Sequence, residues 1–271
     1  MRCHYMSDLH LEAAPFRGAL PRGDVLIIAG DLCHARGLDP ARADPYSIAQ
    51  RGRVFDFIER ATRSFAHVLL VAGNHEHYDG VFEDTVPLLR RAFPGVTVLD
   101  DEAALIGGVQ FFGTTLWSSF EDGSPAALDR VRRRMGEYFF VKRRVTHDDG
   151  RTELARFRPE DALEAHRRAL RTLQRHLDDA SGAMTVIVSH HPPSPSGLNP
   201  RHSGNGLDGA YASDLDHLIE RITHVPVWVH GHTHIRRTYR IGATLLAANC
   251  RGFEGRDATA SGFSAKPFFE L

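Results

Sequence analysis

Cysteine is scarce: only Cys3, Cys33 and Cys250 occur in a chain of 271 residues. An odd number with no C-x-x-C pair encodes neither a disulfide framework nor a thiolate zinc cage, and this usage points to a reducing, cytoplasmic setting. Long apolar runs are missing as well. No stretch approaches the roughly 18 residues that a membrane helix needs, and Met1 leads straight into the strand-like RCHYMS without a leader pattern, so a protein neither secreted nor membrane-spanning is expected. Nor is there an excess of one charge sign. Lys and Arg number 33 against 34 Asp and Glu, a net charge of −1, which leaves no global field to recruit nucleic acid or an anionic membrane. Repeats, low-complexity tracts and Ser/Gly linkers are absent. At a prior of roughly 150 residues per domain the expectation is one domain over residues 1–271. Histidine, by contrast, is plentiful: 17 residues of the side chain that most often binds metal or moves protons near neutral pH.

Short apolar or β-branched runs recur at residues 2–7, 25–29, 68–72, 96–99, 110–116, 184–189, 225–229, 236–241 and 244–248, each of strand length with a turn signal nearby. Helical patterns lie between them. Ile48, Phe55, Ile58, Thr62 and Phe65 recur at near-helical spacing, as do Leu163, His166, Leu170, Leu173 and Leu177. Pro159, Glu160 and Asp161 suit the first turn of the second helix, and Ser213 is placed to cap a third, shorter one. Strand and helix alternation means an α/β fold with a partly parallel sheet. The run RTYRIGATLLAAN reads as two strands joined around Gly242, which adds antiparallel pairs and makes the sheets mixed. Residues 118–159 differ in character, with DRVRRR and VKRR clusters, a turn at Asp148 to Gly150 and weak periodicity, and read as a surface insertion.

Five strand-like runs end in the same way. RCHYMS leads to Asp8 and His10, VLIIAG to Asp31, VLLVAG to Asn74, His75 and Glu76, MTVIVS to His190 and His191, and VPVWVHG to His232 and His234. Ligands of open α/β sheets bind outside the carboxyl ends of the strands, so five such ends can converge on one place. Residues two apart in an extended segment point the same way, which sets Asp8 beside His10 and His232 beside His234. Gly30, Gly73 and Gly231 precede donor positions and allow close backbone approach. Mixed nitrogen and oxygen donors without thiolate suit Mn, Fe, Zn, Co or Ni better than an all-oxygen Mg or Ca site.

SDLH, GD at Gly30 and Asp31, GNHE, SHH and GHTH occur in an order that resembles the calcineurin-like metallophosphoesterases, in particular the small bacterial single-domain type. The resemblance spans Ser7 to His234. It implies a four-layer α/β/β/α sandwich, two mixed β-sheets flanked by helices, with a binuclear centre of divalent or mixed-valence transition-metal ions at one edge. Carried over residue by residue, it assigns Asp8, His10 and His234 to the first ion, Asp31 as a bridge, Asn74, His190 and His232 to the second ion, and His75 as the catalytic histidine, with His191 left either to support the ligands from behind or to wall the substrate pocket. The reaction implied is hydrolysis of a phosphodiester, cyclic or nucleotide-derived, by a hydroxide bridging the two ions; two such ions also neutralise phosphoryl oxygens.

Departures from the family pattern narrow the reading. GDLCHARG lacks the continuation found in serine/threonine protein phosphatases, which argues against that activity, and Cys250 stands where small relatives tend to carry the proline of an Asn-Pro-Arg-Gly turn. Asn199, Arg201, His202 and Tyr211, in the turn-rich segment after His190, are candidates for the substrate rim. The basic clusters read first as solvated surface, then as contacts to substrate phosphate, and last as a grip on nucleic acid. A small phosphate ester is the expected partner, and oligomeric state carries no signal. Phosphomonoester or pyrophosphate hydrolysis at the same centre is the alternative, and a noncatalytic metal-binding interaction protein is a third reading that the complete motif set disfavours.

Overall fold

The computed structural model describes residues 1–179, 182–256 and 262–271. The strands of its first half are β1 (Arg2–Met6), β2 (Gly23–Ala29), β3 (Phe65–Val71), β4 (Thr97–Leu99), β5 (Glu102–Ile106) and β6 (Val109–Thr114). Those of the second half are β7 (Lys142–Thr146), β8 (Thr152–Arg156), β9 (Thr185–Ser189), β10 (Val227–His230), β11 (Arg236–Ile241), β12 (Thr244–Asn249) and β13 (Phe268–Glu270). One sheet has the order β13-β1-β2-β3-β4 and the other β11-β12-β10-β9-β6-β5. Within the first, β1 to β4 are parallel and β13 is antiparallel; within the second, β6, β9, β10 and β12 are parallel and the edge strands β5 and β11 antiparallel.

Alternate side chains explain how the sheets stack. Tyr5, Val25, Ile27, Leu69 and Val71 of the first sheet meet Phe111, Val186, Val188, Val227 and Val229 of the second in one buried layer. Their neighbours in sequence point the other way, so Leu26, Ile28, Val68 and Leu70 pack against Val54, Phe57 and Ile58 of the helix Pro45–Ser64 and Leu89 of the helix Phe82–Ala92. On the far side Phe112, Ile187, Trp228 and Leu246 cover Leu173 and Leu177 of the helix Pro159–Asp179 and Ile219 of Asp216–Arg221. The result is the expected four-layer sandwich, with strands buried on both faces as parallel sheets require.

Several local expectations shift. In the first helix Ile48 and Phe55 face solvent, because the buried stripe follows Val54, Phe57, Ile58 and Ala61 at i, i+3, i+4 and i+7. Ser213 caps no helix: its hydroxyl accepts from Ser119 N, and the short helix begins at Asp216. Residues 118–159 hold short helices and the hairpin β7-β8 around the Asp148–Gly150 turn, tied to Gly80 and Asp79 through Lys142 N and Phe140 O. Phe120, Val131, Tyr138 and Phe157 of this segment pack with Trp117, Leu163 and Leu207 in an apolar cluster separate from those of the sheets.

Candidate metal centre

The carboxyl ends of β1, β2 and β3 lie side by side in one sheet, those of β9 and β10 in the other, and the segments that follow them meet at one edge of the sandwich. Cross-links between the exits fix this edge: Asp8 N donates to Gly30 O, His10 N to Asp31 O, and Gly231 N to His190 O. Two groups of donors share Asp31: Asp8, His10, Asp31 and His234 form one, and Asp31, His190 and His232 the other, while His10, Glu12 and His75 form a third cluster beside them.

The backbone that delivers them is not extended. Asp8, His10, Asp31, His232 and His234 all have left-handed φ, between 46° and 71°, so the donors face inward through consecutive kinks rather than through the strand alternation anticipated above. Such conformations cost of order 1–3 kcal/mol each for residues other than glycine and persist where surrounding structure imposes them. Gly73 shows how tightly the exits crowd, since an added Cβ would stand 2.2 Å from Asp31 Oδ1 and 2.8 Å from His190 Cε1.

Hydrogen bonds fix which atoms can bind a cation. His10 Nδ1 donates to Glu12 Oε1 at 2.8 Å, so in the neutral ring Nε2 carries the lone pair, and it stands 3.0 Å from His234 Nε2 and 3.9 Å from Asp31 Oδ2. His234 Nε2 is in turn 3.4 Å from Asp8 Oδ1. On the other side His190 Nδ1 donates to Ala29 O at 2.9 Å, which turns the lone pair of Nε2 towards Asn74 Oδ1 at 3.0 Å and Asp31 Oδ1 at 3.5 Å. His232 Nε2 is buried without a hydrogen-bond partner. Lone pairs facing one another in a buried site are reconciled by a cation, and both groups therefore fit divalent metal with imidazole and carboxylate ligands.

Electrostatics agree with that assignment. Burial, followed by the neighbouring His191 and His190, holds His232 well below the ordinary imidazole range and hence neutral. Burial alone would raise Asp8, but the hydrogen bond and charge of His234 hold it well below the usual carboxylate range. His75 lies outside the two groups that share Asp31 but clusters with His10 and Glu12, with Nδ1 3.3 Å from Glu12 Oε1 and its backbone N–H donating to Asp31 Oδ1 at 2.9 Å. Burial would lower it, yet the carboxylates of Asp31, Glu12 and Glu76 outweigh that and push it up to about 9.

A cavity of about 340 Å³ opens over this edge, lined by Asp31, Asn74, His75, His232 and His234 on the protein side. Its outer walls come from Arg134 to Glu137 and from Leu198, Asn199, His202, Ser203, Asp208 and Tyr211. Of the rim candidates, Asn199, His202 and Tyr211 line it, whereas Arg201 is exposed and does not. Nor does His191, which is buried against Trp117 and His232 because its backbone N–H bonds to Thr115 O and turns the ring inward.

Glu12, Arg251 and Tyr78 carried no clear sequence signal, and Glu76, named at a strand end, turns to the backbone instead of joining the donors. Glu12 faces both His10 and His75 from two residues beyond a motif. The Glu76 carboxylate accepts from the backbone N–H groups of Asp31, Leu32, Cys33 and Gly73, locking two strand exits together. Arg251 holds the segment bearing Asp8 and His10 through Leu9 O and Pro15 O, both at 2.7 Å. Tyr78 bonds Asn74 and Glu137, and burial and the Glu137 charge hold its phenol protonated.

Residues 1–236 match the family described as calcineurin-like phosphoesterase. The chain is 21% identical over 272 residues to an uncharacterized protein of Acanthamoeba polyphaga mimivirus, covering 92% of this chain and 90% of that one. Among solved structures it is similar to phosphopantetheinyl hydrolase of Mycobacterium tuberculosis, with a TM-score of 0.60, 18% identity and coverage of 95% and 93% of the two chains. It is also similar to the anchor in the inner membrane complex of Plasmodium, with a TM-score of 0.50, 13% identity and coverage of 99% and 77%. Both likenesses are likenesses of fold.

Proposed function

Because the chain belongs to the calcineurin-like phosphoesterase family, we propose that it hydrolyses small phosphodiesters at a centre of two divalent transition metals held by Asp8, His10, Asp31, Asn74, His190, His232 and His234. Members of the family typically bind two divalent ions, and the paired donor groups sharing Asp31 fit that use. When bound, such ions supply an activated water and neutralise phosphoryl charge. His75, beside Glu12 and Asp31, is placed to donate a proton or hydrogen bond to the leaving oxygen.

The observation that favours a diester is the make-up of the outer cavity wall. Asp208 offsets the guanidinium of Arg134 there, so the wall offers a dianionic monoester no net positive charge. Met135, Leu198, Tyr211 and Phe253 offer apolar surface to a second ester arm. At about 340 Å³ the space suits a small molecule rather than a folded protein substrate.

Protein reconstituted with Mn²⁺ would be assayed on bis-(p-nitrophenyl) phosphate, p-nitrophenyl phosphate, and 2′,3′- and 3′,5′-cyclic nucleotides. A higher kcat/KM on the diesters is expected. The reverse order would shift the reading to monoester or pyrophosphate hydrolysis, and no metal-dependent turnover on any of them would favour a noncatalytic binding role.

A further inference from the structure

Asn74 is an ambiguous donor. Its side-chain oxygen can bind a cation and its NH₂ cannot, yet the two ends have the same shape and exchange by a half-turn of the amide. Turned round, the NH₂ would donate directly to the lone pair of His190 Nε2, 3.0 Å from the present Oδ1, and the pair would close on itself without metal. Something must exclude that state.

The exclusion comes from residues 118–159. The Glu137 carboxylate is 2% exposed and Oε2 accepts from Tyr78 Oη at 3.0 Å. A carboxylate has only lone pairs to offer, so the phenol hydrogen is committed to it and the free lone pair of Oη faces Asn74. Asn74 Nδ2 donates to that lone pair at 3.3 Å, which leaves Oδ1 directed at His190 Nε2. The same Tyr78 ring stacks on His75, with centroids 4.3 Å apart and planes at 23°. Gly136 allows the approach, because a Cβ there would stand 2.8 Å from Tyr78 Oη.

From this chain of donors and acceptors we propose that Tyr78, anchored by Glu137, is a positioning residue that selects the metal-binding orientation of Asn74 and holds the ring of His75. The proposal rests on the reading of Asn74 as a ligand of the second ion. It gives the 118–159 segment a part in assembling the centre in addition to walling the cavity. No proposed ligand lies in that segment, and the phenol of Tyr78 links its Glu137 to Asn74.

Mn²⁺ titration, followed by elemental analysis of the protein and by calorimetry, tests it in wild type, Tyr78→Phe, Glu137→Gln and Glu137→Leu. Wild type is expected to bind two ions. Tyr78→Phe and Glu137→Leu should bind the first as wild type does and the second about 10- to 100-fold more weakly, the usual effect of losing a partner that orients a ligand. Glu137→Gln keeps one oxygen acceptor for the phenol and should bind the second ion more tightly than Glu137→Leu does; a general loosening of the fold would not respect that order. With both sites filled by excess Mn²⁺, Tyr78→Phe should lower kcat more than it raises KM. Two wild-type-like binding events with unchanged kcat in Tyr78→Phe, or in Glu137→Leu if Tyr78→Phe does not fold, would overturn the proposal. Failure of wild type to bind a second ion would instead overturn the binuclear reading beneath it, so the two failures are separable.

Discussion

The Nε2 atoms of His10 and His234 lie 3.0 Å apart although 224 positions separate the residues in the chain. With His10 Nδ1 committed to Glu12, two imidazole lone pairs can face each other at that distance, a geometry that becomes favourable once a cation shares them. Asp31 connects this pair to the second donor group, 3.9 Å from His10 Nε2 through one oxygen and 3.5 Å from His190 Nε2 through the other.

Asp31→Asn should therefore lower occupancy of both sites, since one charged group shared by both is lost. Elemental analysis of Mn²⁺-loaded protein is expected to fall from two ions per chain to one or fewer. His191→Ala, which removes a ring buried behind the centre, should leave two. A ratio unchanged in Asp31→Asn would exclude the bridge.

His75→Ala should retain both ions and lower kcat by about 10²- to 10⁴-fold, the scale of a positioned acid-base group. Poor leaving groups should suffer most, because an alkoxide needs the proton that a p-nitrophenolate can forgo. A series of aryl and alkyl diesters reads this directly; a flat dependence would assign His75 to stabilisation of the phosphoryl oxygens instead.

The arginines of the DRVRRR run should not act alike. Arg132 pairs with Glu160 and Arg133 with Asp129 on the surface, whereas Arg134 lines the cavity. Arg134→Gln should raise KM for anionic substrates, most at low salt where screening is least, while Arg132→Gln with Arg133→Gln should change neither constant. Equal effects from both variants would show that only their general surface charge matters.

His234→Gly and His234→Ala delete the same imidazole but leave different backbones at φ 48°. Gly adopts that conformation freely and Ala does not, so the Gly variant should be more stable by about 1 kcal/mol in metal-free protein. Urea unfolding of the two variants checks it; equal midpoints would mean the kink relaxes once the donor is gone.

Much of the architecture was legible because its strands are buried on both faces and so appear as short continuous runs of Val, Ile and Leu, with the donors immediately beyond. The strands that escaped notice are those whose burial is partial or whose length is minimal: β5, β13 and the polar hairpin KRRVT with TELAR. The helix Phe82–Ala92 was hidden by Pro87 within it. At the site, the convergence of strand ends could be read from motif positions, whereas the left-handed turns could not, since Asp and His give no such signal as Gly would. Tyr78 and Glu137 are 59 residues apart, and only folding reveals that one anchors the other.

Those left-handed turns bear on any attempt to move the centre elsewhere. A designer who copied only the identities of Asp8, His10, Asp31, His232 and His234 onto regular strand ends of another sheet would obtain the right chemical groups aimed along the wrong vectors. What has to be transplanted is a backbone trace, together with the Glu76 carboxylate and Arg251 guanidinium that brace its exits. The portable unit is thus the rim of two sheets with its bracing, of which the coordinating side chains are the smaller part.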